Sequence, residues 1–404
     1  MYFLLSWRNL WRNKKRTVIA AASVFFAVLL AVVMRSGQRG SYSYMIDSSA
    51  KLFTGYLQIQ GNGYWDNRSL DKSIVLKSEQ QKKISEISHV TAIAPRLEAF
   101  SLVAFETSTK VAQIIGIDPA REDRLTGLKK RIIKGNYLSS ASDGVLIAKG
   151  LADLLKITSG DNLIIYGQGY HGQIAAAKLP VAGIVNLPFP ELNNSMVYLT
   201  LQEARDVFSA YNRITSLAVM VDNIQNLPAI MNSIRKITAD DFTIMTWDEM
   251  LPDLVQNIEL DNASGIIMLI ILYIVIAFGV FGTVMMMTSE RQKEFGILIS
   301  VGMKKAKLIL VTTVETIFIS FLGVVAGILG SIPIIFYLHF NPIRMTGEAA
   351  KAFESIGVEP IMNFSTDPQI FLHQSIVVLI IALATAVYPV LFINRIQPAT
   401  AIHG

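Results

Sequence analysis

The chain has 404 residues, of which 52% are apolar and 17% charged, with no cysteine and a net charge of +5. A mean hydropathy of +0.43 is too high for an ordinary water-soluble protein. The missing cysteine excludes disulfides, thiolate metal sites and cysteine nucleophiles, and the basic excess gathers beside apolar runs, which points to a membrane flank and not to nucleic acid.

Residues 1–16 read as an amphipathic helix at the cytoplasmic interface, with Phe3, Trp7, Leu10 and Trp11 on one face and Arg8, Arg12 and Lys15 on another. A first span follows at 17–34, interrupted by Ser23; a bilayer core of roughly 30 Å takes about 20 such residues in a helix. A basic flank before an apolar run also describes a signal peptide. This run is long and has a poor small-residue cleavage pattern, so it is expected to stay as an anchor.

Residues 35–262 carry no comparable run and read as a mixed α/β domain outside the cytoplasm. Strand-like stretches are Gly55–Gln60, Thr91–Phe105, Val111–Ile117, Leu163–Tyr166, Val181–Val185 and Leu217–Val221. Helical ones are Ser78–Ile87, Leu201–Phe208 and Ile224–Ile237. The loop Asn186–Asn194, with Leu187, Pro188, Phe189 and Pro190, reads either as a packed connector or as a projecting contact for cargo or a partner. Trp247–Leu260 reads as one amphipathic helix leading into the second span.

Beyond it come a second span at 263–288, a loop at 289–307, a third span at 308–340, a link at 341–369, a fourth span at 370–394 and a tail at 395–404. Lys and Arg concentrate before the first span, in the loop 289–307 and after the fourth, whereas 341–369 is acidic. Four crossings put all three basic segments on the cytoplasmic side. The third span contains Glu315, expected to snorkel or to pair with a lysine, and a small-residue face of Gly323 and Gly327 for close helix packing within the chain or across a dimer.

Catalytic patterns are missing. There is no G-x-x-x-x-G-K-[ST], no H-E-x-x-H and no G-x-S-x-G, and the five histidines show no ligand spacing. The chain is therefore expected to be no enzyme and to bind no metal or cofactor. The loop from Ser289 to Lys305 has Glu290 and Glu294 one turn apart and Phe295, Leu298 and Val301 on an apolar stripe, a pattern able to enter a groove on a soluble partner.

Here the sequence resembles a known family. Glu290-Arg291-x-x-Glu294-Phe295-Gly296-Ile297-Leu298, followed by Gly302, is similar to the E-R-x-x-E-I-G-I-L-x-A-x-G signature of FtsX-like ABC permeases. These include MacB-type and lipoprotein-releasing (Lol-type) subunits. Phe295 replaces the usual isoleucine and Ser300 the usual alanine. The opening Trp7-Arg8-Asn9-Leu10-x-Arg12-Asn13-x-x-Arg16-Thr17 and the ending Tyr388-Pro389 through Arg395-Ile396-x-Pro398-Ala399 also resemble the family, as do Gly135–Leu138, Gly144–Ile147 and Gly160-Asp161.

The resemblance implies four transmembrane helices with a large extracytoplasmic α/β domain of the MacB-like periplasmic core type between the first two. It implies a multi-pass protein of the inner membrane and a partnership with a second permease chain, as homo- or heterodimer. A P-loop ATPase subunit of ABC type, which carries ATP and Mg, would be contacted by Glu290, Arg291, Glu294, Phe295, Gly296, Leu298 and Gly302 as a coupling helix. Cargo would be handled outside or at the outer leaflet: a lipoprotein, a peptide or a periplasmic carrier. Free-standing architecture suits lipoprotein release, and Glu315 eight residues before Gly323 suits the MacB branch, which exports peptides or drugs. The remaining alternative is a scaffold that activates cell-wall hydrolases. An outer domain of two parts, proximal and inserted, is also implied.

Overall fold

The structure is a computed structural model that describes residues 2–12, 14–139, 144–238, 242–348, 350, 353 and 359–396. It divides into a helical unit of Met1–Ser43, Ile258–Arg344 and Ile361–Gly404, and an α/β unit of Tyr44–Asn257 with Met345–Pro360. The last segment belongs to the link that the sequence assigns to a separate loop at 341–369.

Among the described residues four helices are long and apolar enough to cross a membrane: Lys14–Ser49, Pro252–Glu290, Lys305–Phe340 and Pro368–Arg395. Only 17% to 33% of their most apolar windows is buried inside the protein. The remainder, such as Phe278, Leu329 and Ile380, is outward apolar surface that lipid covers without penalty and water does not. The helical unit's core is built from Val24, Ala27, Val28 and Ala31 of the first helix, Val280 of the second, Val324 of the third and Val378 and Ala382 of the fourth.

Local sequence explains the ends. Asp367 caps the fourth helix by accepting from the Gln369 amide at 2.9 Å, and Pro368 fills its first position, where a missing N–H costs nothing. The expected fourth span, 370–394, is two pieces, Pro368–Thr385 and Val387–Arg395. Pro389 cannot donate to the Thr385 carbonyl, and its ring crowds that carbonyl. A second correction concerns Trp247–Leu260. Trp247–Met250 is a separate short helix opened by a capping box of Thr246 and Glu249, and Leu251 leaves helical geometry (φ −124°, ψ 59°) before Pro252 starts the long helix. A residue that precedes proline is driven from the α region.

The α/β unit carries a ten-stranded sheet. Its strands are β1 (Leu57–Gln60), β2 (Val90–Phe105), β3 (Ser108–Ile117), β4 (Ile132–Gly135), β5 (Val145–Ala148), β6 (Asn162–Gln168), β7 (Ile174–Val185), β8 (Met196–Thr200), β9 (Ser216–Val221) and β10 (Thr243–Thr246). They run in the order β10-β1-β9-β2-β3-β8-β5-β7-β4, with β6 joining β2 to β7.

The long strand β2 serves two cores. Its first half, Val90–Arg96, pairs with β9, while Ser101–Ala104 pair with β6. One core gathers Leu57, Ile59, Ile84, Ala94, Leu217, Val219, Ile230 and Ile234. A second gathers Leu97, Val103, Ile114, Ile147, Leu163, Ile165, Val197 and Phe208. Residues between those of the second set, Ile115, Leu146, Met196 and Tyr198, turn to the opposite sheet face and pack a third cluster. Most core residues from Leu97 to Ala210 feed the second and third clusters, although Leu125 joins the first core and Leu70 the second, and Ile214 rejoins the first core.

Arg96 sits at that junction. Its guanidinium meets Glu122 at 2.7 Å and 3.0 Å, with both side chains almost fully buried. Burial alone pulls the guanidinium pKa down; Glu122, with Glu98 and Tyr198 adding to it, outweighs burial and holds Arg96 above its ordinary value.

Candidate functional site: the loop between the second and third spans

The second long helix ends at Glu290, where Arg291 leaves helical geometry (φ −96°, ψ 6°) and becomes the N-cap of a new helix, Gln292–Ser300. That helix closes with a double C-terminal bond. The Gly302 amide donates to the Ile299 carbonyl and the Met303 amide to the Leu298 carbonyl, both at 3.0 Å. Gly302 has φ +103°, which L side chains rarely adopt. Of the seven residues the resemblance marks as coupling residues, Gly302 thus has a stop-signal role evident in the chain itself.

The inward face is held by charge and by one aromatic ring. Arg291 Nη1 donates to Glu315 Oε2 of the third span at 2.6 Å, with the two side chains only 8% and 5% exposed. Its Nε reaches Glu294 at 3.3 Å, and its guanidinium lies 5.2 Å from the Phe295 ring centre. Phe295 is buried with Leu308, Ile393 and Ile396. Glu315 thus pairs with an arginine of the loop, not a lysine. Losing one partner of such a pair leaves a buried bare charge, at a cost of about 3–5 kcal/mol.

The outward face is different. Glu290 meets Arg16 at 2.8 Å and Glu294 meets Arg12 at 4.0 Å. Arg12 and Arg16 are four residues apart, as are Glu290 and Glu294, so the two ion pairs form antiparallel rungs between the N-terminal segment and the loop. Ile297, Leu298 and Val301 are exposed, Val301 by 83%. Ile297 and Leu298 also line a groove of about 380 Å³ with Arg12, Met303 and Val311.

These positions divide the predicted set. Glu290, Glu294, Leu298 and Gly302 reach the surface, while Arg291, Phe295 and Gly296 are buried and brace the helix. The stripe expected from Phe295 through Leu298 to Val301 is split accordingly. Sequence spacing showed the acidic pair but not its partners, because Arg291 and Glu315 are 24 residues apart and the rungs are far longer-range. The matching four-residue spacing of Arg12 and Arg16 was the available signal.

Two neighbours of the loop complete its support. Lys305 Nζ donates to the carbonyls of Asn394 and Ile396, each at 2.9 Å, closing the end of the fourth helix. Ser6 Oγ donates to the Val311 carbonyl at 3.1 Å, which seats the helix Tyr2–Arg12 on the third span. Leu10 is buried with Ala20 and Ile319, whereas Trp7 and Trp11 are exposed, so the expected apolar face of the leader is divided. The side chain of Phe3 lies outside the described residues, as do Asn13, Pro398 and Ala399.

The other predicted positions fall as follows. A Cβ at Gly323 would lie 2.6 Å from Val24 Cβ, and one at Gly327 lies 2.7 Å from Val28 Cβ. The small-residue face is therefore filled within the chain by the first helix. Leu187 and Phe189 are buried, Pro188 is partly so, and Pro190 opens a short helix, Pro190–Asn193. Among the described residues no group of three His, Asp or Glu is placed to hold a metal.

Comparison with known proteins decides the class. The model of the MacB-like periplasmic core domain matches residues 17–237, over half of the chain, and that of the FtsX-like permease C-terminal region matches 266–398. The chain belongs to the FtsX/MacB-like permease family. It is thus a permease subunit of the ABC-transporter class, a multi-pass inner-membrane protein with four apolar helices and a large periplasmic α/β domain. It is 23% identical to the lipoprotein-releasing system transmembrane protein LolC of Neisseria meningitidis serogroup B, over 81% of each chain. It is 20% identical to the macrolide export ATP-binding/permease protein MacB of Acinetobacter baylyi, over 79% of this chain but 49% of that one. Among solved structures, the periplasmic region of MacB from Actinobacillus actinomycetemcomitans covers 52% of this chain and 95% of its own, at 18% identity and a TM-score of 0.37.

Proposed function

We propose that this permease works with a separate ATP-hydrolysing subunit of ABC type, through the helix Gln292–Ser300, to release lipoproteins at the outer face of the inner membrane. The observation that carries the coupling role is the helix's two-sidedness. One side is locked to the third span through Arg291–Glu315, and the other leaves Ile297, Leu298 and Val301 without cover. An element fixed to a span and apolar outward suits a partner groove that pushes on it. ATP and Mg belong to the partner, and this chain contributes no catalytic group. A second permease chain completes the assembly.

Lipoprotein cargo is favoured by the similarity to LolC, which extends over four-fifths of both chains, whereas the MacB relatives match over about half their length. Export of peptides or drugs is the second reading, supported by the same MacB relatives. A scaffold for cell-wall hydrolases has no observation of its own in its favour. Purification should bring down a P-loop ATPase, and Glu294→Lys should abolish transport-coupled ATP turnover while the spans stay folded. Depletion should leave lipoproteins in the inner membrane. Normal lipoprotein sorting with lost efflux would transfer the assignment to export.

A further inference from the structure

The rungs between the N-terminal segment and the loop use only two of five clustered cations. Residues 1–46 contain no aspartate or glutamate, yet Arg8, Arg12, Lys14, Lys15 and Arg16 fall within nine positions. Arg12 and Arg16 are paired with Glu294 and Glu290, and Arg8, Lys14 and Lys15 are exposed with no ion pair among the described residues. Trp7 and Trp11 are exposed beside them, edge to face at 6.1 Å, and Lys14 Nζ lies 5.9 Å from the Trp11 ring centre.

We infer that this segment is a binding surface for anionic phospholipid headgroups, and that those headgroups compete with Glu290 and Glu294 for Arg12 and Arg16. Three features choose lipid as the occupant. The segment leads directly into the first apolar helix, so the bilayer surface lies beside it. Exposed tryptophans next to a span belong at the headgroup level. From the first residue to the end of the first apolar run at Met34 the charge is of one sign, complementary to a phosphate-bearing surface. The Arg12 rung is the weaker one, at 4.0 Å with Arg12 66% exposed, and exchanges an acidic partner readily. Release of Glu294 from Arg12 leaves it to Arg291 alone, which carries the lipid's charge to the inward side of the loop helix. The device works whether or not an ATPase docks there.

The test uses the full chain with Trp65→Phe and Trp247→Phe, so that Trp7 and Trp11 alone emit. In mixed vesicles of phosphatidylcholine and phosphatidylglycerol, brominated phosphatidylglycerol should quench them several-fold more effectively than brominated phosphatidylcholine. Each cation near a charged surface contributes about fivefold. R8Q/K14Q/K15Q should therefore bring the two lipids to near-equal quenching, while R8K/K14R/K15R should keep the several-fold preference. E290Q/E294Q, which frees Arg12 and Arg16, should raise it about fivefold or more. Equal quenching by the two lipids, or a preference unchanged in the neutralised variant, overturns the lipid surface. A preference erased by soluble glycerol phosphate overturns it in favour of a small-anion site. No change in E290Q/E294Q overturns the competition.

Discussion

Each unit of the molecule contains a buried arginine–glutamate pair, and the two are built to different ends. Arg96–Glu122 in the α/β unit lies where β2 passes between two cores, and its guanidinium engages both carboxylate oxygens. Arg291–Glu315 in the helical unit is equally short, but it is the inner end of a chain of charges. Glu294 is shared between Arg291 and Arg12, and Glu290 reaches Arg16 at the surface. Burial with two hydrogen bonds makes the first pair a fixed joint. Connection to exposed partners makes the second a joint through which a surface event can be felt.

Substitution separates the two roles, and the largest effects are expected at the pairs themselves. Arg96→Met should destabilise the full chain by about 3–5 kcal/mol, because Glu122 is left charged in a dry core. Adding Glu122→Leu should recover most of that in denaturant titration followed by far-UV dichroism. Arg291→Met should cost a similar amount, and adding Glu315→Met should likewise restore the fold. The contrast is that this double variant should still lack coupled ATP turnover, whereas R96M/E122L should retain it. Restored turnover in both doubles would erase the distinction.

Smaller effects sharpen the same picture. Gly327→Val drives new methyl groups into Val28 and should cost about 1–3 kcal/mol in thermal unfolding of the detergent-solubilised protein. No loss would mean that this face is not packed on the first helix. Gly302→Ala keeps every ion pair but strains the positive φ, and about 1 kcal/mol is expected, with faster amide exchange confined to 298–303. Arg12→Gln removes a long, exposed rung and should change stability by less than about 1 kcal/mol. Its effect should appear in lipid preference and not in melting.

Much of this was legible in the sequence, for physical reasons. Twenty-residue apolar runs have no alternative home, so the four helices could be read directly, and long strands such as β2 and β3 announced themselves by β-branched residues. Of the four- and five-residue strands, β1 was read within Gly55–Gln60, but β4, β5, β8 and β10 gave too little pattern. The boundary inside the outer domain was hidden because β2 crosses it without a break, and only pairing with β9 and β6 reveals it. At the loop, helix spacing made Glu290 and Glu294 visible as a pair. Which residues face inward depends on where Glu315 and Ile393 lie, and this is long-range information. Helix breaks at Leu251 and Ala386 were signalled by Pro252 and Pro389, and local chemistry would have sufficed to place them.

In the function proposed here, the outward apolar surface of Gln292–Ser300 and its following turn receives the ATPase. Val301 tests it most directly, since its side chain is almost wholly exposed and Asp there costs the isolated chain little. Copurification of I297D/V301D should yield a folded permease, with unchanged dichroism and melting, that no longer retains a P-loop ATPase. A variant that keeps the ATPase in the same proportion as the unaltered chain would contradict the account.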